Sequence, residues 1–128
     1  VSGSGNTNVT ANRIYSNIES GIYATGSNNR IFENIIYSTP IGINSRGSQS
    51  SIKNNLIYDN NLQGLLINAS NQHIVNNTFV QPLGDALIVA SGINQNLLNN
   101  IFWVEEGSAI EIANSSQTGF NSDFNFSD

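Results

Sequence analysis

Cysteine and methionine are absent from the chain, histidine and tryptophan occur once each, and proline occurs twice. Without cysteine there are no disulfides, thiolate metal sites or cysteine nucleophiles. Lys and Arg together number 4 against 9 Asp and Glu, giving a net charge of −5. So few cations exclude a groove that holds nucleic acid by neutralising phosphates. Charged residues make up only 10% of the chain, against about 25% in an average soluble domain. No apolar run approaches the ~18 residues that suggest a membrane-spanning helix. The 128 residues suffice for a single domain, 1–128, and hardly for two. What is abundant is Asn (23), Ser (17) and Ile (17). An Asn- and Ser-rich chain of low charge invites a reading of disorder. The 17 Ile, 6 Phe, 4 Tyr and single Trp argue for a packed core instead.

Those residues recur in phase. Aligned on Val9, Ile31, Ile52, Ile74, Leu97 and Phe120, the chain repeats at spacings of 22, 21, 22, 23 and 23. Three positions after each anchor stand Asn12, Asn34, Asn55, Asn77, Asn100 and Asp123. Five positions after stand Ile14, Ile36, Ile57, Phe79 and Phe102. A third apolar column, Ile22, Ile43, Leu65, Leu87 and Ile110, follows a small residue each time: Gly21, Gly42, Gly64, Ala86 or Ala109. Ala24, Ser45, Ile67, Val89 and Ile112 come two residues later. The apolar pieces are too short for a helical stripe. Separated by Gly, Asn and Ser, they read as short strands and turns. A repeat of this length cannot bury its apolar face alone, and stacking successive repeats does so. The predicted fold is therefore all-β: a single-stranded parallel β-helix of about 5–6 coils, each of 21–23 residues with three short strands, and right-handed by the bias of parallel crossovers. The Asn column is expected to form an internal ladder of amides at one corner. There an Asn also tolerates left-handed backbone. Leucine-rich repeats have similar periods but need apolar residues two before the anchor, where Asn29, Ser50, Gln72 and Gln95 stand.

The segments from Ile31 to Tyr37 and from Ile52 to Tyr58, each followed by Gly-Ile or Gly-Leu, carry a resemblance. They are similar to the right-handed parallel β-helix repeats of the pectate-lyase-like superfamily, and the likeness runs along essentially the whole chain. That superfamily includes polysaccharide lyases, glycoside hydrolases, epimerases and nitrous-oxide-reductase accessory proteins, so it implies a fold far more firmly than an activity. Val1 stands eight residues before Val9, as Val89 does before Leu97, so the chain is expected to begin inside a third strand. No capping segment is apparent at either end. The expectation is a fragment of a longer β-helix, with units stacking end to end as the alternative.

Strand parity points two columns outward from the second strand. One holds Arg13, Ile35, Leu56, Thr78, Ile101 and Phe124, and the other holds Tyr15, Tyr37, Tyr58, Val80, Trp103 and Phe126. Such an apolar and aromatic face is seldom left bare. It is read as covered by a packing partner or further coils, as a sugar platform on Tyr15, Tyr37, Tyr58 and Trp103, or as exposed surface without a role. Rings repeating at ~4.8 Å approach the length of a pyranose unit. The outward third-strand column is Tyr23, Asn44, Leu66, Ile88 and Glu111. In enzymes of the resembling superfamily this face usually forms the cleft. One carboxylate and no base there weigh against a calcium-dependent lyase.

The remaining acid or base candidates are Asp59, Asp85, Glu105 and Glu106, in the loops between second and third strands, with Glu111 beside them. Asp59 and Glu105 lie two coils apart, roughly 9–10 Å along the axis, near the 6.5–9.5 Å of an inverting glycosidase. No complete catalytic set is visible, so whether the chain is an enzyme stays open; a polysaccharide lyase or a glycoside hydrolase is what such a set would serve. No cofactor is implied, and the lone His73 has no second ligand. An oxygen-only calcium site on Asp85, Glu105 and Glu106 is the one metal reading these charges allow. Glu33 and Lys53 are expected to form a surface ion pair. The favoured function is an extracellular or cell-surface β-helix segment that binds or processes a polysaccharide. The alternative is a structural spacer without catalysis.

Overall fold

A computed structural model describes residues 1–128 as a parallel β-solenoid. Eighteen short strands, numbered in chain order, fall into three six-stranded sheets. The first sheet contains β2 (Asn8–Thr10), β5 (Arg30–Phe32), β8 (Ser51–Lys53), β11 (His73–Val75), β14 (Asn96–Leu98) and β17 (Asn121–Asp123). The second contains β3 (Arg13–Tyr15), β6 (Ile35–Tyr37), β9 (Leu56–Tyr58), β12 (Thr78–Leu83), β15 (Ile101–Glu106) and β18 (Phe126–Ser127). The third contains β1 (Ser2–Gly3), β4 (Ser20–Ala24), β7 (Ile41–Ser45), β10 (Gln63–Asn68), β13 (Asp85–Ser91) and β16 (Ile110–Ile112). Every pairing is parallel and joins one coil to the next. No helix is long and apolar enough to cross a membrane.

The apolar columns stack inward as the repeat requires. Ile31, Ile52, Ile74 and Leu97 line the first sheet, Ile36, Ile57, Phe79 and Phe102 the second, and Ile22, Ile43, Leu65 and Leu87 the third, all buried. They belong to one core cluster of 18 residues, and each side chain fully withdrawn from water contributes ~1.5–3 kcal/mol. Phe79 and Phe102 replace the isoleucines of earlier coils and stack with centroids 5.0 Å apart. The small residue at the start of each third strand has a steric cause. A Cβ on Gly42 would lie 2.5 Å from the Gly64 carbonyl oxygen, on the next coil.

At the corner between first and second sheets the Asn ladder is present. The backbone N–H and the Nδ2 of Asn34 both donate to Asn55 Oδ1, at 2.9 and 3.0 Å. Asn55 repeats this towards Asn77, and Asn77 towards Asn100. Each Nδ2 also donates back one coil, from Asn34 to the Val9 carbonyl and from Asn55 to that of Ile31, both at 2.9 Å. The left-handed residue is the one before the ladder: Ala11, Glu33, Asn54, Asn76, Asn99 and Phe124 have φ of 53–60°. The tolerance of Asn for that backbone is thus not what selects the ladder residues. Their amides' hydrogen bonds select them.

Three register expectations are corrected. Leu97 pairs with Ser122, and the sixth ladder residue is Asn125, which accepts from Asn100 N–H at 2.8 Å. A 3-10 turn at Asn114–Ser116 lengthens this coil, so the ladder step from Asn100 spans 25 residues. Phe120 and Asp123 therefore leave the anchor and ladder columns, and Phe126 pairs beside Ile101 rather than Trp103. At the other end Ser2 pairs with Tyr23, placing Val1 beside Ile22 instead of Ala24. No ion pair joins Glu33 and Lys53. Arg30 and Lys53 instead lie over the Phe32 ring, at 5.0 and 5.9 Å from its centroid.

Replacing Asn55 with Ala strips the Asn34 N–H and Nδ2 of their acceptor in the interior. Unmet buried groups cost about 1–3 kcal/mol each. A chemical denaturation midpoint should therefore report a loss of about 2–4 kcal/mol for Asn55→Ala, against less than about 0.5 kcal/mol for the half-exposed Asn96→Ala. Equal effects of the two would contradict the ladder's role.

Candidate functional site

The other two corners are also closed by buried polar side chains. Where third strands turn into first strands, Thr7 N–H donates to Asn29 Oδ1 at 3.3 Å and Gln72 N–H to Gln95 Oε1 at 3.1 Å. Where second strands turn towards third strands, Thr39 N–H donates to Asn60 Oδ1 at 3.3 Å and Asn60 N–H to Gln81 Oε1 at 2.9 Å. These columns were harder to see in sequence because Thr, Ser, Asn and Gln alternate in them.

With its amides turned inward, this last corner shows other side chains to solvent. Ser16, Ser38 and Asp59 adopt left-handed φ of 51–54° and swing the chain out of the second sheet. The segments that follow differ from coil to coil and border three adjoining open hollows that together span the first four coils. One, about 280 Å³, is polar and is lined by Ser38, Thr39, Pro40, Asp59 and Asn61. The next, about 430 Å³, shares Pro40 and adds Ile18, Glu19, Ser20, Tyr23, Ile41, Asn44 and Leu62. A third, about 400 Å³, shares Ile18, Glu19, Ser20 and Tyr23 and extends to Asn17, Ser2 and Val1. Ile18 is 93% exposed and Leu62 56% exposed, so the groove has an apolar rim. The charged side chains lining it are the Glu19 and Asp59 carboxylates, and the Val1 amino group, donating to the Gly21 carbonyl at 2.8 Å, lines the third hollow. Ser38 Oγ donates to Asp59 Oδ2 at 3.2 Å and orients that carboxylate.

Asn44 stands apart in this groove. It lies in the outward column of the third sheet, between Tyr23 on β4 and Leu66 on β10. Those neighbours leave it only 9% exposed. Its amide makes no hydrogen bond within the fold, and Oδ1 is fully buried without a partner. Every other buried Asn is hydrogen-bonded through its side chain in one of the corner ladders. The sealed, unpaired Oδ1 costs stability, while Nδ2, also without a partner, is the end of the amide that a ligand could satisfy. The sequence placed Asn44 in its column, but the isolation of its amide follows from the flanking Tyr23 and Leu66.

The anticipated residues fall in three places. Tyr15, Tyr37 and Tyr58 are outward on the second sheet, stacked with centroids 5.1 and 4.8 Å apart and planes within 14°. The ring faces turned towards one another are therefore covered, those of Tyr37 on both sides. Tyr37 and Tyr58 immediately precede Ser38 and Asp59, so this column ends next to the groove without lining it. Trp103 is 51% exposed, two coils beyond Tyr58 and separated from it by Val80. Among the anticipated acids, Asp59 alone lines the groove. Asp85 begins β13 and accepts the Ser108 N–H at 2.7 Å, a bond that ties one coil to the next. Glu105 and Glu106 end β15, and Glu111 points outward from β16, all three exposed. No group of three or more His, Cys, Asp or Glu side chains is placed to hold a metal, so Asp85, Glu105 and Glu106 do not converge on a calcium site.

Substituting Asn44 with Leu replaces an unpaired amide by an apolar group of similar size between Tyr23 and Leu66. The variant should be more stable by about 1–2 kcal/mol in denaturant melts, because the unpaired group is removed. A loss of stability would show that the amide has a partner in the fold.

No match was found among curated proteins or among solved structures. Residues 1–127 match the family described as "Right handed beta helix region". With three parallel sheets wound coil on coil and an amide ladder inside, the chain belongs to the right-handed β-helix family.

Proposed function

We propose that the chain binds a polysaccharide laid parallel to the solenoid axis along the groove between the second and third sheets. The observation that carries this reading is the unpaired Asn44 amide on a continuous, axis-parallel run of hollows. A linear polymer with a hydroxyl-rich repeat suits a groove built from a repeating coil. Sugar rings present apolar faces and hydroxyl edges. Tyr23, 37% exposed and not stacked on another aromatic ring, offers apolar area beside the rim. Ser20, Ser38, Asn44, Asp59 and Asn61 offer donors and acceptors. Tyr37 and Tyr58 stand next to this polar run, and Trp103 would meet a longer chain further along the axis.

The reading is one of binding. Asp85, Glu105, Glu106 and Glu111 stand outside the hollows, and Asp59 alone of the anticipated acids lies within them. Extracellular or cell-surface placement belongs to the same reading, since structural polysaccharides are met there.

Affinity electrophoresis through gels containing plant, fungal or bacterial polysaccharides tests this directly. Retardation by at least one polymer is expected, weakened about tenfold by Tyr23→Ala, equivalent to ~1.4 kcal/mol. Trp103→Ala should weaken retention by long polymers more than by short oligosaccharides. No retardation by any polymer, or retardation indifferent to both substitutions, would remove the proposal.

A further inference from the structure

We infer that the groove selects an uncharged polysaccharide and rejects polyuronates and sulfated polymers, an inference that rests on the glycan-binding reading above. The charged side chains lining the groove are of one sign. Both are carboxylates, Asp59 in one end hollow and Glu19 in the other two. The chain as a whole carries −5. Its 4 cations are held elsewhere. Arg30 and Lys53 sit over Phe32 on the first sheet, and Arg13 points outward from β3. Arg46 follows β7 and lies over the Tyr23 ring, 5.9 Å from its centroid, without lining the hollows.

A polyanion laid along the axis would set a negative charge near every coil, within reach of both carboxylates. At physiological salt such charges interact over ~8 Å. No Lys or Arg side chain lines the groove to compensate them; the nearest cations are Arg46, over the Tyr23 ring, and the Val1 amino group, which donates to the Gly21 carbonyl in the end hollow away from Asp59. For a neutral sugar the same carboxylates are favourable, because each accepts hydrogen bonds from hydroxyls. Asn44 adds an amide of no net charge at the centre of the run, suited to a hydroxyl and indifferent to an anion's charge.

The test compares matched polymers that differ in charge alone. Polygalacturonate is set against its full methyl ester, and carboxymethylcellulose against hydroxyethylcellulose, by affinity electrophoresis at low and high salt, with calcium and with chelator. The neutral member of at least one pair is expected to bind about tenfold more tightly at low salt, and the gap should close at high salt. Glu19→Gln combined with Asp59→Asn should narrow the gap, raising affinity for the anionic member at least threefold relative to the neutral one. Equal or tighter binding of the anionic member by the unaltered protein, in calcium or in chelator, would overturn the inference while leaving the glycan reading intact. Binding of neither member, nor of any other polymer, would remove both.

Discussion

The corner hydrogen bonds are the constraint on which the rest depends. A coil can place its strands in three sheets only by turning sharply between them, and a turn inside a solenoid faces a dry interior. Backbone N–H groups there need partners. The chain supplies them from side chains: Asn34, Asn55, Asn77 and Asn100 at one corner, Asn29 and Gln95 at the second, Asn60 and Gln81 at the third. Because each acceptor sits one coil away from its donor, closing a turn also ties two coils together. The unusual abundance of Asn and the near absence of interior charge are both consequences. An amide offers donor and acceptor without the desolvation penalty of an ion.

Turning polar groups inward at the corners frees the exterior from structural duty. The interior column at each position is nearly the same from coil to coil, whereas the segments after Tyr15, Tyr37 and Tyr58 differ in length and composition. The hollows form at this variable corner. Asn44 belongs to the same logic by exception. It is a buried amide with no ladder to join, standing on the outside of a sheet where Leu66 and Ile88 occupy the equivalent places. A residue that lowers stability without a structural return marks the place where binding is best sought.

The repeat made most of the fold legible. Val9, Ile31, Ile52, Ile74 and Leu97 fix the period, and the small residue before Ile22, Ile43 and Leu65 fixes the third strand. Legibility failed where one coil departs from the period. Phe120 lies 23 residues after Leu97 and looks like the sixth anchor, but the turn at Asn114–Ser116 takes up extra chain and Asn125 completes the ladder. A strict period cannot register such an insertion. The two further polar ladders were hidden by mixed composition, since Ser, Thr, Asn and Gln do the same work with different side-chain lengths. The groove was only partly legible. Asp59 was singled out for its charge, while Tyr23, Asn44 and the Ile18 rim depend on how unequal loops pack, which spacing does not encode. Asp85 drew attention as an acid and proves to hold a backbone N–H.

Side-chain amide hydrogen exchange, followed residue by residue by NMR, tests the central claim most directly. If the corner amides hold the coils, the Nδ2 protons of Asn34, Asn55 and Asn77 should exchange as slowly as the backbone amides of Ile36, Ile57 and Phe79. Both sets should then slow together as the protein is stabilised. Exchange of those Nδ2 protons at the rate of the exposed Asn99 side chain would contradict the account.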